Sequence, residues 1–257
     1  MKLLFDHLVH FVENPDVAMT AFANLGFHTS KGGRHENWGT ENTLCYFRNL
    51  QYIEWIGIDR IEVARNAKHP FSDHLLLDNQ RGEGLSQIAF RTNSIENLQE
   101  ELSHLGIRTV GPFPGARKRP DGSLLEWSML FIESELPVPF YIQWGEEDAV
   151  REKGMLEKNM PPFNPNEISF IGYAVENPTK VANLWAKLLN VDVRDTDMVI
   201  LGIESKGVCK KVHFHGLDIY FCNLPDRIKM RGERPFAVGI QPNEQRWLTL
   251  NGASYYI

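Results

Sequence analysis

Three stretches of the chain share one alternation of apolar and polar positions. Asp6-His7-Leu8-Val9-His10-Phe11-Val12, Ser86-Gln87-Ile88-Ala89-Phe90-Arg91-Thr92 and Ser169-Phe170-Ile171-Gly172-Tyr173-Ala174-Val175 align without gaps, and each reads as a strand of period two. After each comes a helix cap at the same offset, Asn14, Ser94 or Asn177. Pro15 and Pro178 stand at the first helical position, where a missing N–H costs nothing. Residues 16–25, 95–105 and 179–189 then carry apolar side chains at three- and four-residue spacing, which predicts one amphipathic helix per stretch, the first two stopped by Gly26 and Gly106.

Further alternating runs follow each helix. They predict strands at residues 42–47 and 51–56, at 124–133 and 140–144, and at 198–203, 208–214 and 217–222. The unit of strand, helix and two or three strands therefore occurs three times. Two echoes support a duplication: Tyr52-Ile53-Glu54-Trp55 returns as Tyr141-Ile142-Gln143-Trp144, and Val12-Glu13-Asn14-Pro15 returns as Val175-Glu176-Asn177-Pro178. Residues 234–241 and 246–257 read as two more strands with no helix between them, a truncated fourth module.

The modules fall at residues 1–58 and 85–147, joined by a linker at 59–84 with a short helix around 71–77. A linker at 148–166, charged and then proline-rich, marks a domain boundary before the third and fourth modules at 167–257. At 257 residues the chain suits two domains, and the fold class is α+β.

Composition narrows the partners. A net charge of -6 offers no basic stripe for nucleic acid, and Arg117-Lys118-Arg119 is too small a cluster to supply one. No apolar run reaches the ~18 residues of a membrane span, and Asp6 and His7 interrupt any leader-like start. Three scattered cysteines, Cys45, Cys209 and Cys222, fit a reducing compartment, so the expectation is a soluble cytoplasmic protein of bacterial type in which Cys209 and Cys222 are small buried hydrophobes. Phosphate-loop, nucleophile-elbow and H-E-x-x-H motifs do not occur.

The tandem strand-helix-strands unit, with Asp6-His7 on its first strand and Tyr52-Ile53-Glu54 on its last, resembles the vicinal oxygen chelate superfamily and its glyoxalase-like branch. The motifs Gly32-Gly33-Arg34-His35 through Asn42, Gly111-Pro112, Pro120-Asp121-Gly122 and Glu126-Trp127 look similar to that branch. The resemblance implies tandem βαβββ modules of the glyoxalase, bleomycin-resistance and dihydroxybiphenyl-dioxygenase type, paired so that curved sheets enclose a cavity. It also implies up to four side chains holding a divalent metal there.

Carried over residue by residue, those positions are His7, Glu54, Gln87 and Gln143. Imidazole and carboxylate suit nickel, zinc, iron or manganese, whereas the two glutamine amides are weak donors. The third copy has Phe170 and Tyr220 at the equivalent places, which cannot serve such metals.

Other chemistry carries two readings. His35, near Thr40 and Asn42, is a general base or ligand contact, or a loop histidine that fixes a turn. Arg117 and Arg119 form a fork for a substrate carboxylate, or protect an edge strand. Trp55 and Trp144 alternate with positions 54 and 143 and are expected to point away from the cavity. So is His10, three residues from His7. His213 and His215 share a strand face without a third donor.

Three functions remain open. The first is a glyoxalase-type enzyme with lyase, isomerase or dioxygenase-type chemistry on a small oxygenated or acidic metabolite, His7 and Glu54 binding metal and His35 or Glu54 moving protons. The second is a metal-free binding protein that holds a small acidic or aromatic ligand through Arg117, Arg119, His35, Gln87 and Gln143. The third is an assembly paralogue with a vestigial cavity. A homodimer, and pairing of the modules within or between chains, stay undecided.

Overall fold

The computed structural model describes residues 2–119, 122–157, 163–196, 209–223, 230–241 and 245–257. The first module runs β1 (Leu3–Phe11), α1 (Pro15–Asn24), β2 (Ser30–His35), β3 (Thr40–Tyr46) and β4 (Tyr52–Ile58). Two linker helices, α2 (Ile61–Asn66) and α3 (Pro70–Arg81), lead to the second: β5 (Gly84–Thr92), α4 (Ile95–His104), β6 (Thr109–Lys118), β7 (Leu124–Ile132) and β8 (Phe140–Trp144). A further helix, α5 (Asp148–Glu157), occupies much of the expected second linker.

The third module is β9 (Glu167–Ala174), α6 (Pro178–Leu189), β10 (Val193–Thr196), β11 (Cys209–Phe214) and β12 (Leu217–Cys222). The helix-less fourth is β13 (Arg234–Gln241), β14 (Trp247–Leu250) and β15 (Ala253–Tyr256). The strand expected at 198–203 lies outside the described residues. The run at 246–257 is a hairpin rather than one strand, turning at Asn251 and Gly252, both with positive φ.

Helix starts follow the caps. Asn14 accepts the N–H groups of Asp16 and Val17, and Asn177 that of Lys180, each cap worth about 1 kcal/mol. Ser94 makes no such bond. Its place is taken by Gln143, whose Oε1 accepts the N–H of Ile95 at 2.6 Å.

Modules one and two pair within the chain. β1 runs antiparallel to β5, giving an eight-stranded sheet in the order β2-β3-β4-β1-β5-β8-β7-β6. Its two edge strands approach each other where Arg117 of β6 donates to the carbonyl of Gly32 on β2, so the sheet curls almost into a barrel. The second sheet repeats the plan with seven strands in the order β10-β11-β12-β9-β13-β15-β14.

The outer face of the first sheet packs on the second half of the chain. Phe22 of α1 meets Trp55 at 4.6 Å and Tyr255 at 4.8 Å, and Phe90 meets Phe214 at 5.4 Å between ring centres. His10 faces this seam as alternation requires. Its Nε2–H donates to the Asn251 carbonyl at 2.7 Å, which leaves Nδ1 to accept the Tyr255 hydroxyl at 2.6 Å. Asp78 of α3, fully buried, takes Arg231 and Arg234 at 3.0 and 3.2 Å and ties the linker to the second half.

Two expectations about the second sheet change. Cys209 and Cys222 stand opposite each other on β11 and β12 and are joined by a disulfide, so they are not unpaired hydrophobes. Cys45 is the free thiol, and burial pushes its pKa up. His215 sits in the hairpin turn with φ 48°, off the strand face, while His213 pairs with Asp218 at 2.7 Å. Among the described residues no helix is long and apolar enough to cross a membrane.

Candidate functional site

The curl of the first sheet encloses a cavity of about 40 Å³. Its two walls differ in chemistry. Module one supplies His7, His35, Asn42, Tyr46, Tyr52 and Glu54 beside the apolar Trp38 and Leu44, whereas module two supplies Trp127, Met129, Phe140, Ile142 and Trp144, with Arg117 of β6 its one charged group.

His7 reaches the cavity from the centre of the sheet. Neighbouring residues of a regular strand point to opposite faces, but the register of β1 against β5 shifts between Phe5 and His7. This irregularity lets Asp6 stand beside His7, whose Nδ1 donates to its carboxylate at 2.6 Å. The imidazole stacks on Tyr52 with ring centres 4.5 Å apart. Its Nε2 then faces Glu54, 3.6 Å from Oε2, and the other Glu54 oxygen accepts the Asn42 amide.

Asp6 is fully buried. Burial alone would push its carboxyl upward, but the His7 hydrogen bond and the charges of His7, Arg151 and Arg91 outweigh it and hold Asp6 below the usual carboxylate range. An ionised carboxylate accepts only, so it fixes the proton on His7 Nδ1.

His35 ends β2 instead of lying in a loop. Its Nδ1 contacts the Thr40 hydroxyl at 2.9 Å, and burial, with Arg117 beside it, lowers its pKa to about 3. The ring is therefore neutral at ordinary pH, able to hydrogen-bond but a weak base. Two glycines make room in the walls. A Cβ on Gly32 would lie 1.9 Å from Asn42 Oδ1, and one on Gly115 would lie 2.3 Å from the Trp127 indole nitrogen. Larger residues there would displace Asn42 or Trp127.

The structure thus brings His7, Glu54, His35, Asn42 and Arg117 together around one cavity, with Thr40 just behind His35. Three expected residues are not on its wall. Arg119 pairs with Glu146 at 2.6 Å, Gln143 caps α4, and the Oε1 of Gln87 is buried without a hydrogen-bond partner among the described residues.

For Gln143 the reason is a one-residue offset in the tetrapeptide echo, and for Gln87 a two-residue offset between the first strands of the modules. In module one His7 pairs with Tyr52 and Val9 with Glu54, while in module two Ala89 pairs with Phe140 and Arg91 with Ile142. By strand pairing, the counterparts of His7 and Glu54 are therefore Ala89 and Ile142, not Gln87 and Gln143. The expected orientation of Trp144 reverses for the same reason: it lines the cavity, whereas Trp55 is core.

That offset bears on the metal. Two of the four positions carry side chains with no donor atom, and among the described residues no cluster of three or more His, Cys, Asp or Glu is placed to hold an ion. His7 and Glu54 are two strong donors without a complementary pair, so the residues present do not fit the four-ligand cage. The corresponding face of the second sheet is filled by aromatic rings: Phe170 lies within 6.3 Å of Tyr220, Trp247 and Tyr256.

Sequence alone missed Asp6, Tyr52 and Trp144. Strict alternation puts Trp144 on the far face and gives Asp6 no part in the site, and neither a bulge nor an offset repeat leaves a mark in a single sequence.

Two βαβββ modules curled around one cavity define the vicinal oxygen chelate class. Within it, the model of the family described as glyoxalase-like domain matches residues 5–189, and the chain belongs to that family. A crystal structure of a hypothetical protein from Staphylococcus aureus is similar over 99% of this chain and 98% of its own, with 23% identity and a TM-score of 0.79. A mutant of 4-hydroxymandelate synthase from Streptomyces coelicolor is similar over 94% of this chain and 71% of its own, with 8% identity and a TM-score of 0.61. At such identities these likenesses speak for the fold alone. No curated protein matches by sequence.

Proposed function

We propose that the cavity takes a small oxygenated acid and moves a proton on it, as a lyase or isomerase does. The observation that carries this reading is the pair of His7 Nε2 and Glu54 Oε2, 3.6 Å apart on the cavity wall, with the far side of the imidazole fixed by Asp6. Two proton-carrying groups facing one cavity are what abstraction and return of a proton beside a carbonyl require. In an isomerisation the unprotonated Nε2 of His7 takes the proton of a C–H bond, and the imidazolium so formed returns it elsewhere on the same skeleton, directly or by way of Glu54, so that no co-reactant is consumed.

Arg117 supplies a fixed positive charge for the substrate's carboxylate and for the oxygen that gains charge. His35, held neutral, contributes a hydrogen bond instead of a proton. The wall of Trp127, Met129, Phe140 and Ile142 excludes water and strengthens these interactions. At about 40 Å³ the cavity admits only a few non-hydrogen atoms, which limits the ligand to a very small acid. Proton transfer is favoured over oxygen chemistry because the donor set does not fit a redox metal.

A second reading, binding without turnover, draws support from the apolar character of the module-two wall apart from Arg117. One experiment separates the two. Pyruvate and 2-oxobutyrate are incubated with the protein in D₂O, and loss of the proton signal beside the carbonyl is followed by NMR. Exchange that falls at least about 100-fold in both His7→Ala and Glu54→Gln supports the enzyme. Binding of these acids with no exchange above buffer leaves the binding protein.

A further inference from the structure

We infer that Arg151, on the helix after module two, is a positioning residue for His7. The inference rests on the reading of His7 as the proton-carrying group. Arg151 does not itself line the cavity. It acts on the two residues that hold His7 from behind.

Asp6 is the centre of the arrangement. Its Oδ1 takes the His7 Nδ1–H at 2.6 Å, and its Oδ2 takes the Trp144 indole N–H at 3.1 Å. Two guanidinium groups lie farther off, Arg91 at 3.7 Å and Arg151 at 3.9 Å from the same Oδ2. The two arginines are engaged differently. Arg91 donates to the carbonyls of Phe5 and Asn49 and to Asp148, so the backbone and α5 account for its place.

Arg151 is more deeply buried than Arg91, yet its Nη1 makes no hydrogen bond among the described residues. Burying a cation without making its hydrogen bonds is costly unless nearby charge compensates. Here the compensation is Asp6, Asp148 at 3.7 Å, and the ring of Trp144, whose centre lies 4.1 Å from the guanidinium carbon.

Trp144 is therefore held on one face by Arg151 and at its N–H by Asp6, while it also lines the cavity. Asp6 in turn is kept as a carboxylate facing His7. Both effects lead to one outcome: the proton of His7 stays on Nδ1, and Nε2 is the atom turned toward Glu54 and the substrate. The helix carrying Arg151 belongs to a segment that looks like a linker, so the site is completed from outside the paired modules.

The test reads the tautomer directly, in the protein without substrate. Protein carrying ¹⁵N-histidine is studied by long-range imidazole NMR, with the His7 signals assigned by their loss in His7→Ala. Wild-type protein is expected to show His7 as the Nδ1–H tautomer. Arg151→Met is expected to raise the Nε2–H form about five-fold or more and to shift the Trp144 indole resonance, and Arg151→Lys to restore most of both.

Should Arg151→Met not fold, Trp144→Phe removes the indole donor to Asp6 while leaving Arg151, and is expected to move the tautomer in the same direction. An unchanged tautomer in Arg151→Met, or in Trp144→Phe if that is the variant that folds, overturns the inference. The measurement needs no turnover, so it stands if the deuterium exchange fails. Exchange that is lost in His7→Ala but untouched in Arg151→Met would keep the proposed function and remove the role of Arg151.

Discussion

His10 offers a quantitative check on how the two halves meet. Burial lowers its pKa from the ordinary 6.5 to about 4, against the Asn251 hydrogen bond, which acts in the opposite direction. A histidine whose folded pKa lies below its unfolded value binds more protons when unfolded. Its contribution is therefore whole above pH 6.5 and is lost as pH falls toward 4. Between pH 7.5 and pH 5 the shift corresponds to about 2 kcal/mol for this one residue.

The assay is urea unfolding at both pH values for wild type and His10→Gln. The variant loses stability at either pH, because the Tyr255 and Asn251 contacts are cut. The informative quantity is the difference of differences, in which that loss cancels. Wild type is expected to lose about 2 kcal/mol more than His10→Gln on going to pH 5. Equal losses would refute the claim that His10 is buried and neutral in the seam between the sheets.

Two further predictions concern the offset repeat. Ala89→His combined with Ile142→Glu should supply the missing donors opposite His7 and Glu54, and calorimetry should then show nickel or zinc binding at least about 10-fold tighter than wild type. No gain would contradict the strand-pairing equivalence. Gln143→Ala should cost about 1 kcal/mol in urea unfolding through loss of the α4 cap, with pyruvate binding unchanged. A loss of binding would return Gln143 to the cavity.

The modular fold was legible because it is written in short-range signals. Period-two runs, caps at Asn14 and Asn177, and Gly26 and Gly106 after the helices each fix a local choice, and these agree with one another. β2 and β6 escaped because glycines and prolines, in Ser30–His35 and Thr109–Lys118, blur their alternation. At the site, His7 and Glu54 could be picked out through the resemblance of their strands to the glyoxalase-like branch, and His35, Asn42 and Arg117 through the motifs and hairpin that carry the same resemblance. The module-two wall could not be read, since the tetrapeptide echo puts Gln143 where strand pairing puts Ile142, and a one-residue slip reverses every side chain. Arg151 was beyond reach for another reason: nothing local says that a charged linker helix will lie against a strand 145 residues earlier.

The central claim is that one cavity, between modules one and two, is where a small acid binds. The six tryptophans report on it with internal controls, because Trp38, Trp127 and Trp144 line the cavity whereas Trp55 and Trp185 are core and Trp247 lies on the filled face of the second sheet. Titrating ¹⁵N-labelled protein with pyruvate should shift the first three indole N–H resonances and leave the other three in place, and should shift none of the six in Arg117→Met. Shifts confined to Trp247, or none at the first three, would contradict the account.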